Sequence, residues 1–310
     1  MAHVTFIHGI ANKPSPAVLL KTWLQSMSRD GGVSLKSGGV TSEMVYWADV
    51  FYDKPLADGS NAESFDSVNR SLPPQPPAVS PEWKSRLPEK DRKWVNSFSK
   101  KLQIPEGDEQ NPPAMRHRGR SSERVPLPWF IKKPIMEVFL RDVHHYLFNV
   151  ECSRRNGCHY HTQDEIRRRL VDALKAGALK PGPHILVSHS MGTVIAYDCL
   201  KRVPDCPKID GLLTIGSPLG LEEIQQKMTP EWTRANGFPS DKLSGSWINV
   251  YDALDPVAGF DPKISNDYLK SLLPVIEDIH EPNFGTWRHD ITKYLAGPKL
   301  RDRLRNLLHL

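Results

Sequence analysis

Apolar positions along this chain follow two rhythms. Short β-branched or aromatic runs that break at glycine or a polar cluster read as buried strands. Such runs cover His3 to His8, Met44 to Phe51, Ile185 to Ser188, Gly211 to Ile215 and Trp247 to Tyr251. Between them, apolar residues recur at helical spacing. Pro16 to Met27 places Val18, Leu19, Trp23, Leu24 and Met27 on one side and stops near Gly31-Gly32. Further helices are expected over Ile135 to Phe148, Glu165 to Lys175, Met191 to Lys201 and Leu221 to Met228, with a final one from about Asp290 to Leu308. Thr162 and Glu165 form a capping-box pattern before the second of these, and Gly177 closes it. The run Arg167-Arg168-Arg169 reads as its solvated face.

Strands alternating with helices predict an α/β fold with a mostly parallel sheet covered on both faces. From about 53 to 134 that alternation lapses. Proline, serine and charge dominate in "SLPPQPPAVSP" and "MRHRGRSSERVP", with one short helix around Glu89 to Leu102. A stretch this long inside one domain predicts an insertion. The expected division is therefore a core of 1–54 and 135–310 with a proline-rich insertion at 55–134. Trp83, Trp94, Trp129 and Phe130 predict that part of the insertion packs on something, as a lid would; a partly disordered segment is the alternative.

Composition narrows the class. The chain has 310 residues, 39% hydrophobic and 25% charged, which suits one large α/β domain with an insertion or two small domains. A net charge of +5 over this length is not a nucleic-acid footprint. Four cysteines do not make a disulfide scaffold. No apolar run approaches the roughly 20 residues of a membrane span. The start, "MAHVTFIHGI", has neither a basic leader nor a long apolar stretch, so a cytoplasmic location is expected. Transient contact with an anionic membrane surface through the basic loop Arg116 to Arg124 remains a competing use of the charge.

The candidate chemistry sits at strand ends. "SHSMG" follows an apolar strand and opens a helix, so Ser190 stands on a tight strand-to-helix turn. Such a turn exposes a hydroxyl and aims the positive helix end at whatever reacts there. The positions two before and two after must be small; here they are Ser188 and Gly192, flanking His189 and Met191. "FIHGI" ends the first strand at His8-Gly9, and offers the Ile10 N–H as an oxyanion donor beside that of Met191. His8 is expected to orient this loop rather than act as a base. "YDALDPV" supplies two acids after a late strand; Asp255 is preferred because Asp-Pro-Val fixes a turn, with Asp252 as the alternative. His289, before the last helix, is the candidate base, with His280 as competitor.

The order Ser190, Asp255, His289 and these motifs resemble the α/β-hydrolase superfamily, in its lipase and esterase branch. "FIHGI" and "SHSMG" are similar to the oxyanion loop and nucleophile elbow of small bacterial lipases. "TIGSPL", Thr214 to Leu219, resembles the strand after the elbow in lecithin–cholesterol-acyltransferase-like and inositol-deacylase-like hydrolases. The elbow departs from the glycine pattern at Ser188. The resemblance implies a cofactor-free serine hydrolase acting on a small-molecule or lipid carboxylic ester. A thioesterase, amidase or acyltransferase would use the same residues, and a non-catalytic binding protein would share the fold. Cys152, Cys158, His159 and His161 lie close together, but C-x5-C-H-x-H fits no common zinc spacing, so no metal site is expected. The sequence leaves the oligomeric state open.

Overall fold

The computed structural model describes residues 1–57, 82–104, 129–153, 159–285 and 287–310. Six strands form one sheet: β1 (His3–Ile7), β2 (Thr41–Val45), β5 (His184–His189), β6 (Ile209–Ile215), β7 (Leu243–Tyr251) and β8 (Glu277–His280). A separate antiparallel ribbon pairs β3 (Glu151–Ser153) with β4 (His159–His161). The six-stranded order is β2-β1-β5-β6-β7-β8, and every neighbouring pair is parallel. All six therefore end on the same side. Parallel neighbours require crossovers, and the helices that make them cover both faces.

Side chains alternate across each strand, so the core divides in two. On β5, Leu186 enters one layer with Ile7, Leu212 and Trp247. Ile185 and Val187 enter the other with Val4, Phe6, Leu213 and Val250. The first layer packs against α3 (Glu89–Lys101), α4 (Trp129–Leu147), α5 (Thr162–Ala178) and α6 (Met191–Arg202). The second packs against α1 (Pro16–Ser28), α8 (Ile291–Ala296) and α9 (Pro298–Leu308). The remaining helices, α2 (Glu82–Ser85) and α7 (Glu222–Gln225), are single turns. Among the described residues no helix is long and apolar enough to cross a membrane.

Several boundaries differ from the sequence reading. β2 lies three residues earlier than expected and stops at Val45, because Trp47 leaves the sheet. Its backbone N–H donates to His8 Nε2 at 3.0 Å, and its indole N–H to the His8 carbonyl at 2.9 Å. The C-terminal helix is two helices: Gly297-Pro298 interrupts it, since proline at 298 cannot donate to a preceding turn. α4 starts at Trp129 rather than 135, with Pro134 in its second turn, so it crosses the expected core–insertion boundary. β8 and the β3–β4 ribbon had no clear sequence signal.

The capping box at Thr162 does not form. Thr162 lies inside α5 and donates its hydroxyl to the Val150 carbonyl at 2.7 Å. The helix is capped from outside: Asn149 Oδ1 accepts the N–H groups of Gln163 and Asp164, at 2.9 and 3.3 Å. Gly177 does not terminate the helix either; a side chain there would strike the rings of His184 and His3. The arginine run is not a solvated face. Arg168 is exposed, but Arg167 forks onto the fully buried Asp198, at 2.6 and 2.8 Å. Arg169 binds Glu165, Asp49 and the Tyr46 carbonyl.

Within the expected insertion, α3 buries Val95 and Phe98, and Trp94 donates its indole N–H to the Glu223 carbonyl at 3.1 Å. Trp83 and Trp94 both pack on the core. The side chains of Trp129 and Phe130, the loop Arg116 to Arg124 and Cys158 lie outside the described residues. Among the described residues no cluster of three or more metal-ligating side chains occurs.

Candidate active site

The loops leaving the carboxyl ends of β1, β5, β6, β7 and β8 converge, as crevices do beyond the strand ends of open parallel sheets. Ser190 follows β5 directly, with φ 54° and ψ −128°. That strained left-handed conformation is imposed on a non-glycine residue, and it turns the side chain out of the strand. Ser190 N–H donates to the Ile215 carbonyl at 2.9 Å, tying the turn to the next strand. Thr193, one turn on, donates its hydroxyl to the Ser190 carbonyl at 2.7 Å and contacts Ser217 Oγ at 2.8 Å.

Ser190 Oγ lies 2.8 Å from His289 Nε2. On the other side of the ring, His289 Nδ1 donates to Asp255, with Oδ1 at 2.9 Å and Oδ2 at 2.8 Å. All three residues are buried, with Ser190 1% exposed, so little water competes for these bonds. Asp255 Oδ1 also accepts the N–H groups of Val257 (2.7 Å) and Ala258 (3.0 Å). Burial opposes charge on Asp255, but the adjacent His289 and these N–H donors hold its carboxyl below the usual range.

Asp252, the alternative acid, faces elsewhere. Its carboxylate takes the N–H of Leu254 (2.7 Å) and of Asn283 (2.7 Å) and the guanidinium of Arg288 (3.2 Å). It thereby fastens the loop that carries His289. The Lys293 ammonium adds a second tie to that loop, donating to the carbonyls of Phe284 at 2.7 Å and Trp287 at 2.8 Å. Directly after His289, Asp290 caps α8 by accepting the Thr292 N–H at 2.8 Å, which fixes the exit of the chain. The competing histidine, His280, is exposed on β8 and its ring lies beside Tyr251.

His8 is fully buried and its bonds define its tautomer. Nδ1 donates to the Gly9 carbonyl at 2.8 Å, while Nε2 accepts the Trp47 N–H. Burial above all, then the charge of Lys13, pushes its pKa down to about 3, so the ring is neutral at ordinary pH. It has no proton acceptor to spare and orients the loop. His189 is likewise held neutral by burial and by its neighbour His289. Its Nε2 donates to the His289 carbonyl at 3.1 Å, and the two rings lie 4.7 Å apart. It positions His289 from beneath.

Two glycines permit these approaches. A side chain at Gly9 would lie 2.6 Å from Ser190 Cβ, and one at Gly192 would lie 2.7 Å from the carbonyl oxygens of Ile7 and His8. The ends of β1 and β5 are thus brought together at a spacing that a Cβ would block. Gly9, packed against Ser190, precedes Ile10, and Met191 follows Ser190 directly, so the Ile10 and Met191 N–H groups are the candidate oxyanion donors on these two loops. Met191 is the first residue of α6, where a backbone N–H has no partner within its own helix.

Sequence reasoning missed Ser217, Gly216 and Tyr294. Gly216 has φ 55°, and a side chain there would approach Asp255 Oδ2 and the His289 ring to 3.1–3.2 Å. "TIGSPL" contained that signal. For Tyr294, whose hydroxyl donates to Asp255 Oδ2 at 2.8 Å, no local signal exists. Ser188 also acquires a partner: its buried hydroxyl donates to the Leu213 carbonyl at 3.1 Å. The sequence matches no protein-family model and no curated protein.

Proposed function

We propose that this chain is a serine hydrolase that cleaves carboxylic esters. The observation that carries the reading is the unbroken hydrogen-bonded chain Ser190 Oγ, His289, Asp255 at the strand ends of a parallel sheet. A serine hydroxyl is a weak nucleophile until a base takes its proton, and His289 Nε2 is within hydrogen-bond reach to do so. Ser190 Oγ attacks the ester carbonyl as the proton moves to His289. The resulting imidazolium is stabilised by the Asp255 carboxylate at Nδ1, and Asp255 itself stays ionised. Negative charge developing on the carbonyl oxygen is met by the Ile10 and Met191 N–H groups, the second at the positive end of α6. His289 then passes its proton to the departing alcohol. Water, activated by the same ring, attacks the acyl group on Ser190 and releases the acid.

The test is a panel of esters of graded acyl length, with thioesters and amides alongside, assayed on the full chain and on Ser190→Ala. A fluorophosphonate probe should label Ser190 and fail on the variant. Hydrolysis that persists in folded Ser190→Ala, or failure of folded parent protein both to take up the probe and to cleave any ester, would sink the reading.

A further inference from the structure

Beyond the His8 bond to the Gly9 carbonyl, the loop carrying the Ile10 N–H is tied from a distant helix. Ala11, the next residue, has φ 69°, a left-handed conformation that costs a non-glycine residue about 1–3 kcal/mol unless its surroundings enforce it. Its N–H is taken by Asp142 Oδ2 at 3.1 Å, a fully buried carboxylate on α4, 131 residues away in sequence. Asp142 Oδ1 is in turn gripped by the Arg141 guanidinium, Nε at 2.9 Å and Nη2 at 2.6 Å, and Arg141 also donates to the Tyr52 hydroxyl at 2.7 Å.

One turn along the same helix, Tyr146 donates its hydroxyl to Asp198 Oδ2 at 2.6 Å. Asp198 lies on α6, the helix whose first residue is Met191, and it is locked by Arg167 from α5. Residues four apart share a helix face. One face of α4 therefore touches the β1 loop through Asp142 and the elbow helix through Tyr146.

We infer that α4 is a brace that sets the span between the two oxyanion donors, with Asp142 as the positioning residue that decides which N–H of the β1 loop is left to face substrate. By holding the Ala11 N–H, Asp142 fixes the plane of the Ile10–Ala11 peptide. The preceding N–H, that of Ile10, belongs to the adjoining Gly9–Ile10 peptide, whose Gly9 end lies against Ser190, and is the one left for substrate. A bare carboxylate close to a developing oxyanion would repel it; the Arg141 fork offsets that charge. The inference rests on the hydrolase reading.

The experiment compares Asp142→Ala, Asp142→Asn and Tyr146→Phe in the full chain. Asp142→Ala should lower kcat by about 10²-fold with KM changed less than about threefold, since a misplaced donor weakens transition-state binding rather than substrate binding. Affinity for a boronate transition-state analogue should fall in step with kcat. Asp142→Asn keeps an acceptor oxygen and should recover most of the loss. Amide exchange at residues 9–11 should quicken in Asp142→Ala, a readout that needs no turnover. Unchanged exchange there, or parent-level kcat in Asp142→Ala, overturns the brace. If Asp142→Ala does not fold, the same kcat and KM split in Tyr146→Phe carries the test, and a pure stability loss with kcat intact overturns it. Quickened exchange in a protein whose Ser190 does no chemistry overturns the hydrolase reading and the catalytic half of the inference, and leaves Asp142 a structural tie.

Discussion

Tyr294 donates its hydroxyl to Asp255 Oδ2 at 2.8 Å, from a helix that begins two residues after His289. The Tyr294 hydroxyl oxygen in turn accepts the Asp252 N–H at 2.8 Å, so one phenol joins both acids of the β7 loop. Burial first, then the Asp255 charge, keep it protonated and able to donate. Tyr294→Phe leaves a buried N–H and part of a buried carboxylate without partners. The expected cost is about 1–3 kcal/mol of stability, read by urea unfolding, with activity reduced but not lost.

The two acids of that loop should separate cleanly. Asp255→Asn offers His289 an amide where the tautomer-setting acceptor stood, and ester hydrolysis should fall by about 10⁴-fold with the fold intact. Asp252→Asn weakens the ties to Asn283 and Arg288 instead. Its effect should fall mainly on melting temperature, with a much smaller loss of kcat. Equal losses of kcat in the two variants would refute this division.

Ser188 occupies the position where the elbow pattern has glycine. Its hydroxyl bonds the Leu213 carbonyl inside a dry sheet, which glycine could not do. Ser188→Gly should therefore lower stability, by about 1–2 kcal/mol from the lost bond and the freer unfolded chain, while leaving kcat/KM near the parent value. A stability gain in thermal melting would show that the serine is tolerated rather than used.

Acid should unfold this protein in a defined window. His8 has a pKa of about 3 when folded against an ordinary 6.5. Between those values the unfolded chain binds a proton that the folded chain refuses, so stability rises with pH across the window and is lost as pH falls from 6.5 toward about 3. Each such group contributes up to about 1.4 kcal/mol per pH unit. His144, lowered to about 3, and His145 and His184, lowered to about 4, add to the same slope, all through burial first. The depressed Asp255 carboxyl works at the lower end: its contribution is present above its ordinary 3.8 and disappears as pH falls through its folded value. His8→Gln should flatten the pH dependence of unfolding free energy by about one proton; an unchanged slope would mean that His8 is not buried neutral.

How far the site could be read from sequence depended on how local each signal was. Ser190 was legible because a strand, a tight turn and a helix follow one another within a few residues, and Gly192 marks the close crossing. Asp255 and His289 were legible as polar residues just past strand or loop ends, yet the choice between Asp255 and Asp252 was a matter of side-chain direction. Helix ends failed where the cap came from elsewhere: Asn149, not Thr162, satisfies the first turn of α5. The arginine run misled because Asp198, which buries Arg167, is 31 residues downstream.

The sequence by itself determined the layered α/β architecture and the residues that occupy the loops at the strand ends, because period-two and helical hydrophobic patterns and glycine positions are properties of neighbouring residues. The tertiary structure alone decided which acid faces His289, that His8 and His189 are neutral props, and that Asp142 and Tyr294 reach the site at all. Those are contacts between residues tens to more than a hundred positions apart. Their hydrogen bonds are strong only because folding removes the water that would otherwise satisfy each partner separately.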